Sequence, residues 1–212
     1  MSEYNLALEN VSKTFGRRLI FCDLNFVLNS GCIYGIAGPN GSGKSTLAKI
    51  LCGLISPTSG KVIHTFQSNT ITRERIHNHI GFLSPYLFLY DEFTAEENLI
   101  YFAKIRGINF DKDKVDSLFD KLNLLDRKND LLREYSSGMK QRIKLIFALL
   151  HSPQLLIYDE PTANLDNEGK EIFYEIIRQQ SVDSLVIIAS NENGDLNLCS
   201  EVIQLKNYKE KK

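Results

Sequence analysis

The chain of 212 residues has no tryptophan, two methionines and five prolines. Its four cysteines, Cys22, Cys32, Cys52 and Cys199, are scattered, and no two of them make a C-x-x-C pair. That scatter argues against a zinc ribbon or a disulfide scaffold and fits a reduced, cytoplasmic compartment. No apolar run approaches the roughly 20 residues that cross a bilayer; the longest lies near residues 145–150. An excess of one charge is missing too. The 25 Lys and Arg against 26 Asp and Glu leave a net charge of −1, so no nucleic-acid partner is expected. The start, Met1-Ser2-Glu3-Tyr4-Asn5, lacks a basic segment followed by an apolar one, and no secretory leader is expected. The basic stretch Lys209-Glu210-Lys211-Lys212 reads as a solvated terminus. There is no long Pro/Gly/Ser linker, repeat or low-complexity tract. A hydrophobic content of 43% is ordinary for a globular protein, and the length suits one sizeable core with room for a subdomain.

What is present is organised around Gly38-Pro39-Asn40-Gly41-Ser42-Gly43-Lys44-Ser45-Thr46. The stretch matches G-x-x-x-x-G-K-[ST] at every fixed position, between an apolar run at 33–37 and a helix-like run at 47–51. Gly41 and Gly43 permit backbone angles that turn successive N–H groups inward on an anion. A helix opening at Lys44 adds unpaired N–H groups and the positive end of its dipole. Lys44 is expected on the β- and γ-phosphates of a nucleotide and the Ser45 hydroxyl on Mg²⁺, with Thr46 helping to hold the loop.

Residues 4–11 and 19–28 alternate as antiparallel strands, joined by a polar turn at 12–18 that carries Phe15. Phe15 has two readings: a partly buried loop residue, or a flat face on which a purine stacks. Residues 53–60 read as a loop, 61–64 as a short strand, 67–78 as a loop with some helix, and 80–83 as a buried strand. His77 and His79 stand two apart, a spacing that suits a metal on a strand, but no third ligand accompanies them.

The middle is helical. Thr94-Ala95-Glu96-Glu97 is a capping box, Leu99, Phe102, Ala103 and Arg106 follow at helical spacing, and Gly107 closes the helix. A second amphipathic helix is predicted at 114–122. A third runs from about 138 to 150, with Ile143, Ile146, Phe147 and Leu150 inward. Residues 88–137 thus read as a helical insertion between β-rich segments at 1–87 and 138–212, all within one domain. Leu155-Leu156-Ile157-Tyr158 is a buried strand that stops at Asp159-Glu160. Its end would open onto the crevice beside the phosphate loop. Asp159 suits the water shell of Mg²⁺, and Glu160 suits accepting a proton from an attacking water. A helix at 168–179, a buried strand at 185–189 and an edge strand at 201–205 complete the α/β pattern.

Tyr135-Ser136-Ser137-Gly138-Met139-Lys140-Gln141-Arg142 resembles the signature loop of ABC-type ATPases. By that resemblance the chain is similar to this family over roughly residues 4 to 206. The fold implied is a P-loop core of mostly parallel strands, an N-terminal antiparallel β-subdomain and an inserted helical subdomain. Phe15 would match the adenine-stacking aromatic, Gly38 to Thr46 the Walker A loop, and Asp159 with Glu160 the Walker B acids. Ala163-Asn164-Leu165-Asp166 would match the loop that crosses the dimer interface. Read from the residues alone, Ser136 or Ser137 caps a helix whose N-terminus is a second anion site. The resemblance implies that this site, Ser136, Ser137, Gly138 and Met139, closes on ATP bound to another subunit in a head-to-tail homodimer or a pairing with a related subunit. It also implies separate transmembrane permease subunits, a cytoplasmic place on the membrane face, and an exporter-like role.

Two residues depart from the family pattern. Pro85 stands where a Gln usually senses Mg²⁺ and water, and Asn191 stands where a His usually touches the γ-phosphate. Proline brings no polar side chain and asparagine no positive charge, so slow hydrolysis is expected. The alternative is a regulatory module that binds ATP and dimerises but hardly turns over. A soluble ABC-type ATPase acting on ribosomes or DNA would usually carry two cassettes or basic extensions, and a P-loop kinase would leave the signature stretch unexplained. Leu87, Phe88, Leu89 and Tyr90 are apolar for a loop. Either they form a docking surface for a membrane partner around 85–98, or they pack inside the helical region.

Overall fold

A computed structural model describes residues 3–210. Met1, Ser2, Lys211 and Lys212, which enter the readings of the two termini, lie outside the described residues. Strands β1 (Tyr4–Phe15) and β2 (Arg18–Asn29) pair antiparallel around a two-residue turn. Residues 12–15, expected in a polar turn, belong to the strand, and Phe15 pairs with Arg18. The alternation conceals this because the register shifts after Leu8, with Asn10 and Asp23 at positive φ. Such bulges flip the side-chain phase that a period-two pattern depends on.

Next come β3 (Ile33–Ala37), α1 (Lys44–Leu51), β4 (Ser59–Phe66) and β5 (Asn69–Thr70). The segment 67–78 therefore holds a short strand as well as a turn of 3₁₀-helix. β6 (Ile80–Leu83) leads into α2 (Ala95–Arg106), α3 (Lys112–Lys121) and α4 (Ser137–Leu149). The remaining elements are β7 (Leu155–Asp159), α5 (Asn167–Ser181), β8 (Leu185–Ser190), α6 (Asn193–Leu196) and β9 (Glu201–Gln204).

The strands form two sheets. One is antiparallel in the order β2-β1-β4-β5, and the other runs β6-β7-β8-β3-β9 with every pairing parallel. The parallel sheet separates two cores, and its central strands divide their side chains between them. Leu156, Tyr158, Val186 and Ile188 face the core shared with α2, α3, α4 and α5. Leu155, Ile157, Leu185 and Ile187 face the core shared with α1 and the antiparallel sheet. Burial on both faces explains why these strands are continuously apolar rather than alternating. Leu156→Ala would leave a cavity in the first core at a cost of about 2–5 kcal/mol.

The capping box at α2 forms as its sequence predicts. Thr94 Oγ1 accepts from the Glu97 backbone N–H at 3.1 Å, and Thr94 N–H donates to Glu97 Oε2 at 2.8 Å. Gly107 ends the helix at φ 68°. Buried Asn98 is an unforeseen part of the same corner: its side chain pairs with both the N–H and the carbonyl of Tyr90. It thereby fixes the loop leading into α2.

Candidate functional site

Parallel strands deliver the chemistry-bearing residues to one edge. The phosphate loop follows β3, Asp159 and Glu160 end β7, and Ser190 and Asn191 end β8, which lies between them. In parallel sheets this carboxyl edge is where ligands bind. Gly43 opens α1 at φ 109°, where a side chain would be strained. A Cβ there would also stand 2.5 Å from Ile20 Cγ2 on β2. Glycine at this position therefore serves both the turn and the close packing of the loop on the antiparallel sheet.

Lys44 is buried. Its Nζ donates to the Gly38 carbonyl at 2.9 Å and pairs with Glu160 Oε1 at 3.1 Å. Ser45 Oγ donates to Asp159 Oδ1 at 3.0 Å, while Asp159 Oδ2 is buried without a partner among the described residues. Burial raises the Asp159 carboxyl pKa, partly offset by the Ser45 hydroxyl. An orphaned carboxylate oxygen beside a hydroxyl is a hard-oxygen donor set, and it fits Mg²⁺. A cavity of about 530 Å³ runs from Lys44, Ser45 and Glu160 to Phe15, lined also by Arg18, Asn40, Gly41, Thr46, Pro85 and Tyr86. Phe15 is 53% exposed at its mouth, with the Lys13 ammonium 4.8 Å from the ring centroid.

Glu160 adopts φ 49°, a left-handed conformation uncommon for a residue with a side chain. Its N–H donates to the Ala189 carbonyl at 2.8 Å, and Gln141 from α4 donates to the Pro161 carbonyl at 2.8 Å. Ser190 Oγ lies 3.3 Å from Glu160 Oε2 and 2.6 Å from Asp195 Oδ2. Asp195 is buried and also accepts from Thr162 and Tyr174 at 2.8 and 3.0 Å. Three hydroxyl donors thus compensate a carboxylate whose pKa burial raises. Asn191 Nδ2 donates to Asn40 Oδ1 at 3.3 Å, at the rim of the phosphate loop. Gln141, Thr162, Ser190 and Asp195 have no signal in the sequence, because their partners are distant along the chain.

The signature stretch forms a separate cavity of about 450 Å³, which shares no lining residue with the first. Ser136 is the cap of α4: its Oγ accepts from Met139 N–H at 3.2 Å, and Ser137 is the first helical residue. Gly138 lies so close to the 163–166 loop that a Cβ would stand 2.8 Å from the Asn164 carbonyl oxygen. Asp166 caps α5 through Gly169 N–H at 2.9 Å and pairs with Arg142 at 3.1 Å. The Gly169 N–H, with Arg142 beside it, lowers the Asp166 pKa. Ala163 and Asn164 face a neighbouring cleft with Pro85 and Gln141, and Leu165 is buried.

A strand, phosphate loop and helix beside an acid-tipped parallel strand define a P-loop nucleotide-binding fold. Within that class, the family model described as ABC transporter matches residues 21–163, and the chain belongs to this family. The uncharacterized ABC transporter ATP-binding protein YhcH of Bacillus subtilis (strain 168) is 34% identical over 205 residues, covering 94% of this chain and 66% of its own length. Nod factor export ATP-binding protein I of Rhizobium sp. (strain N33) is 36% identical over 180 residues, covering 84% of this chain and 59% of its own length. Lantibiotic transport ATP-binding protein SrtF of Streptococcus pyogenes is 33% identical, covering 96% and 84%. This chain therefore spans less than two thirds of the length of the first two. Among solved structures, an ABC transporter ATP-binding protein from Pyrococcus furiosus matches with a TM-score of 0.83 at 23% identity, covering 96% of this chain and 98% of that one. A bacterial Atm1-family ABC exporter with ATP bound matches with a TM-score of 0.83 at 20% identity, covering 95% and 37%. These likenesses in structure concern the fold.

Proposed function

We propose that this chain binds and hydrolyses ATP to power a membrane transporter, of the exporter type, as a subunit separate from the membrane-spanning partner. The observation that carries the reading is the meeting of Lys44, Ser45, Asp159 and Glu160 at the phosphate loop, with one Asp159 oxygen unpaired among the described residues. The loop N–H groups and Lys44 bind the β- and γ-phosphates. Phe15 stacks on the adenine. Ser45 and Asp159 hold Mg²⁺, which when bound neutralises charge between the phosphates. As Lys44 moves its ammonium to phosphate oxygens, Glu160 loses its ion pair and is free to accept a proton from water. Asn191, which donates to Asn40 at the rim of the loop, would offer its amide to the terminal phosphate.

Ser136, Ser137, Gly138 and Met139, with the loop Ala163 to Asp166, form the second half of a site whose first half lies on another copy or a related subunit. ATP joins the halves and hydrolysis releases them. On this reading residues 1–87 and 138–212 are the nucleotide-binding core and 88–137 the helical subdomain. The membrane partner docks beside the loop ahead of α2. There Leu87 and Leu89 pack inward while Phe88 is 89% exposed, next to an apolar cavity of about 480 Å³ lined in part by Leu54, Phe82, Tyr86 and Phe102. Among the described residues no helix is long and apolar enough to cross a membrane, which suits a peripheral subunit on the cytoplasmic face. The printed name of one relative, Nod factor export, supports the exporter direction.

Pro85 and Asn191 favour slow turnover, and they also support a second reading in which ATP binding and dimerisation serve as a switch with little hydrolysis. The test is phosphate release from MgATP by the purified protein beside Lys44→Ala and Glu160→Gln. Turnover that both variants reduce by about 100-fold or more would assign the activity to this site. ATP-dependent dimers without turnover would favour the switch, and no ATP binding at all would sink both readings.

A further inference from the structure

The phosphate loop has lysines on two sides. Lys44 lies within it. Behind it lies Lys209, which follows the short turn Leu205–Tyr208 and belongs to the basic stretch expected to be solvated. Lys209 Nζ donates to the Ser42 carbonyl at 2.8 Å and to the Ile20 carbonyl at 2.8 Å. Among the described residues no carboxylate pairs with it, and burial lowers its pKa with Arg18 contributing. The segment that carries Lys209 is anchored nearby: Tyr208 packs edge-on against Phe26 at 5.7 Å, and Cys22 Sγ donates to the Glu210 carbonyl at 3.1 Å.

The accepting carbonyl belongs to the Ser42–Gly43 peptide. In a trans peptide the C=O and the N–H point in opposite directions. A cation on the Ser42 oxygen therefore polarises the Gly43 N–H, which faces away from Lys209 at the opening of α1. Chained hydrogen bonds strengthen one another in this way. The same ammonium also bridges the loop to β2, on the side where Gly43 packs against Ile20.

We propose that Lys209 is a positioning residue for the phosphate loop, holding the Ser42–Gly43 peptide from behind so that its N–H is presented to the phosphates of the nucleotide. The inference rests on the nucleotide reading given above and adds to it a residue from a distant part of the chain. It acts on binding, through the loop, and not on the chemical step.

The experiment measures MgATP affinity by displacement of a fluorescent nucleotide, with pyrophosphate as a second competitor that has no base or sugar. Lys209→Met, Lys209→Gln and Lys209→Arg are compared with the wild type, together with thermal unfolding and turnover at saturating ATP. Loss of one charge-assisted contact behind the loop should weaken MgATP and pyrophosphate alike by about three- to tenfold in the Met and Gln variants. Arg should restore most of the affinity, and turnover at saturation should stay near that of the wild type. A merely structural role would lower the unfolding temperature and the turnover together, without rescue by Arg. Wild-type affinity in folded Lys209→Gln would overturn the inference alone. A wild type that binds neither MgATP nor pyrophosphate would overturn the nucleotide reading as well.

Discussion

The molecule holds two helix N-termini of similar design and different completeness. At α1 the N-cap is Gly43, which offers no side chain, so the first N–H groups of the helix stay open to a ligand. A buried ammonium and two acids stand beside them. At α4 the Ser136 hydroxyl already occupies the Met139 N–H, and the nearby guanidinium of Arg142 is paired with Asp166. The one acid among the described residues that lines that cavity, Asp166, already accepts from Arg142 and from the Gly169 N–H through Oδ1. The first terminus has the donors, cation and carboxylates for a metal-bound phosphate. The second has donors and two guanidiniums, Arg127 and Arg142, each already paired with an acid. What the difference teaches is that α4 is suited to contact a phosphate already held elsewhere, as the proposed pairing with a second subunit requires.

Gly138→Val should break this comparison most sharply. Its added carbons would meet the Asn164 carbonyl and crowd the start of α4. ATP affinity of the single chain should stay at the wild-type value, because the phosphate loop is untouched. ATP-driven association, followed by light scattering, should be lost, and turnover should fall by about 100-fold if the helix supplies stabilising donors. Equal loss of nucleotide affinity would show that the two termini are one site.

A smaller effect is expected from Ser190→Ala. The Ser190 hydroxyl has one proton, and its short contact is with Asp195, so its 3.3 Å approach to Glu160 is the weaker of the two. Its removal should reduce turnover by about two- to tenfold and leave the KM for ATP unchanged. A change in KM without a change in kcat would mean that Ser190 shapes the loop and not the acid.

Which features could be read in the sequence follows from the range of the interactions. The capping box at Thr94, the strand before Gly38 and the strand ending at Asp159 are set by neighbours a few residues apart, and they stand where the pattern puts them. The central strands were legible because burial on both faces leaves nothing polar in them. Strand ends were less so: bulges at Asn10 and Asp23 disguise residues 12–15 as a turn. Least legible were Gln141, Asp195 and Lys209, polar side chains whose partners come from other elements. A lone Asp between Gly194 and Leu196 looks like any loop residue until the fold places three hydroxyl groups around it. The same holds for Lys209, whose basic neighbours suggest solvent while its ammonium lies against two carbonyls.

The smallest expected effect concerns Asn191, and it sharpens the account of the α1 site. Its amide leans on Asn40 at 3.3 Å, at the rim of the loop. An amide can donate a hydrogen bond to a terminal phosphate but cannot add charge. Asn191→His would allow a charge-assisted contact, about twice as strong as a neutral one. Turnover should rise several-fold, on the order of 1 kcal/mol of added transition-state stabilisation. Binding of MgATP should change little, because on the proposed reading the loop and Lys44 hold the phosphates. A His variant no faster than the wild type would place the limit elsewhere, and Pro85, which lines the same cavity without a polar side chain, would then be the residue to change.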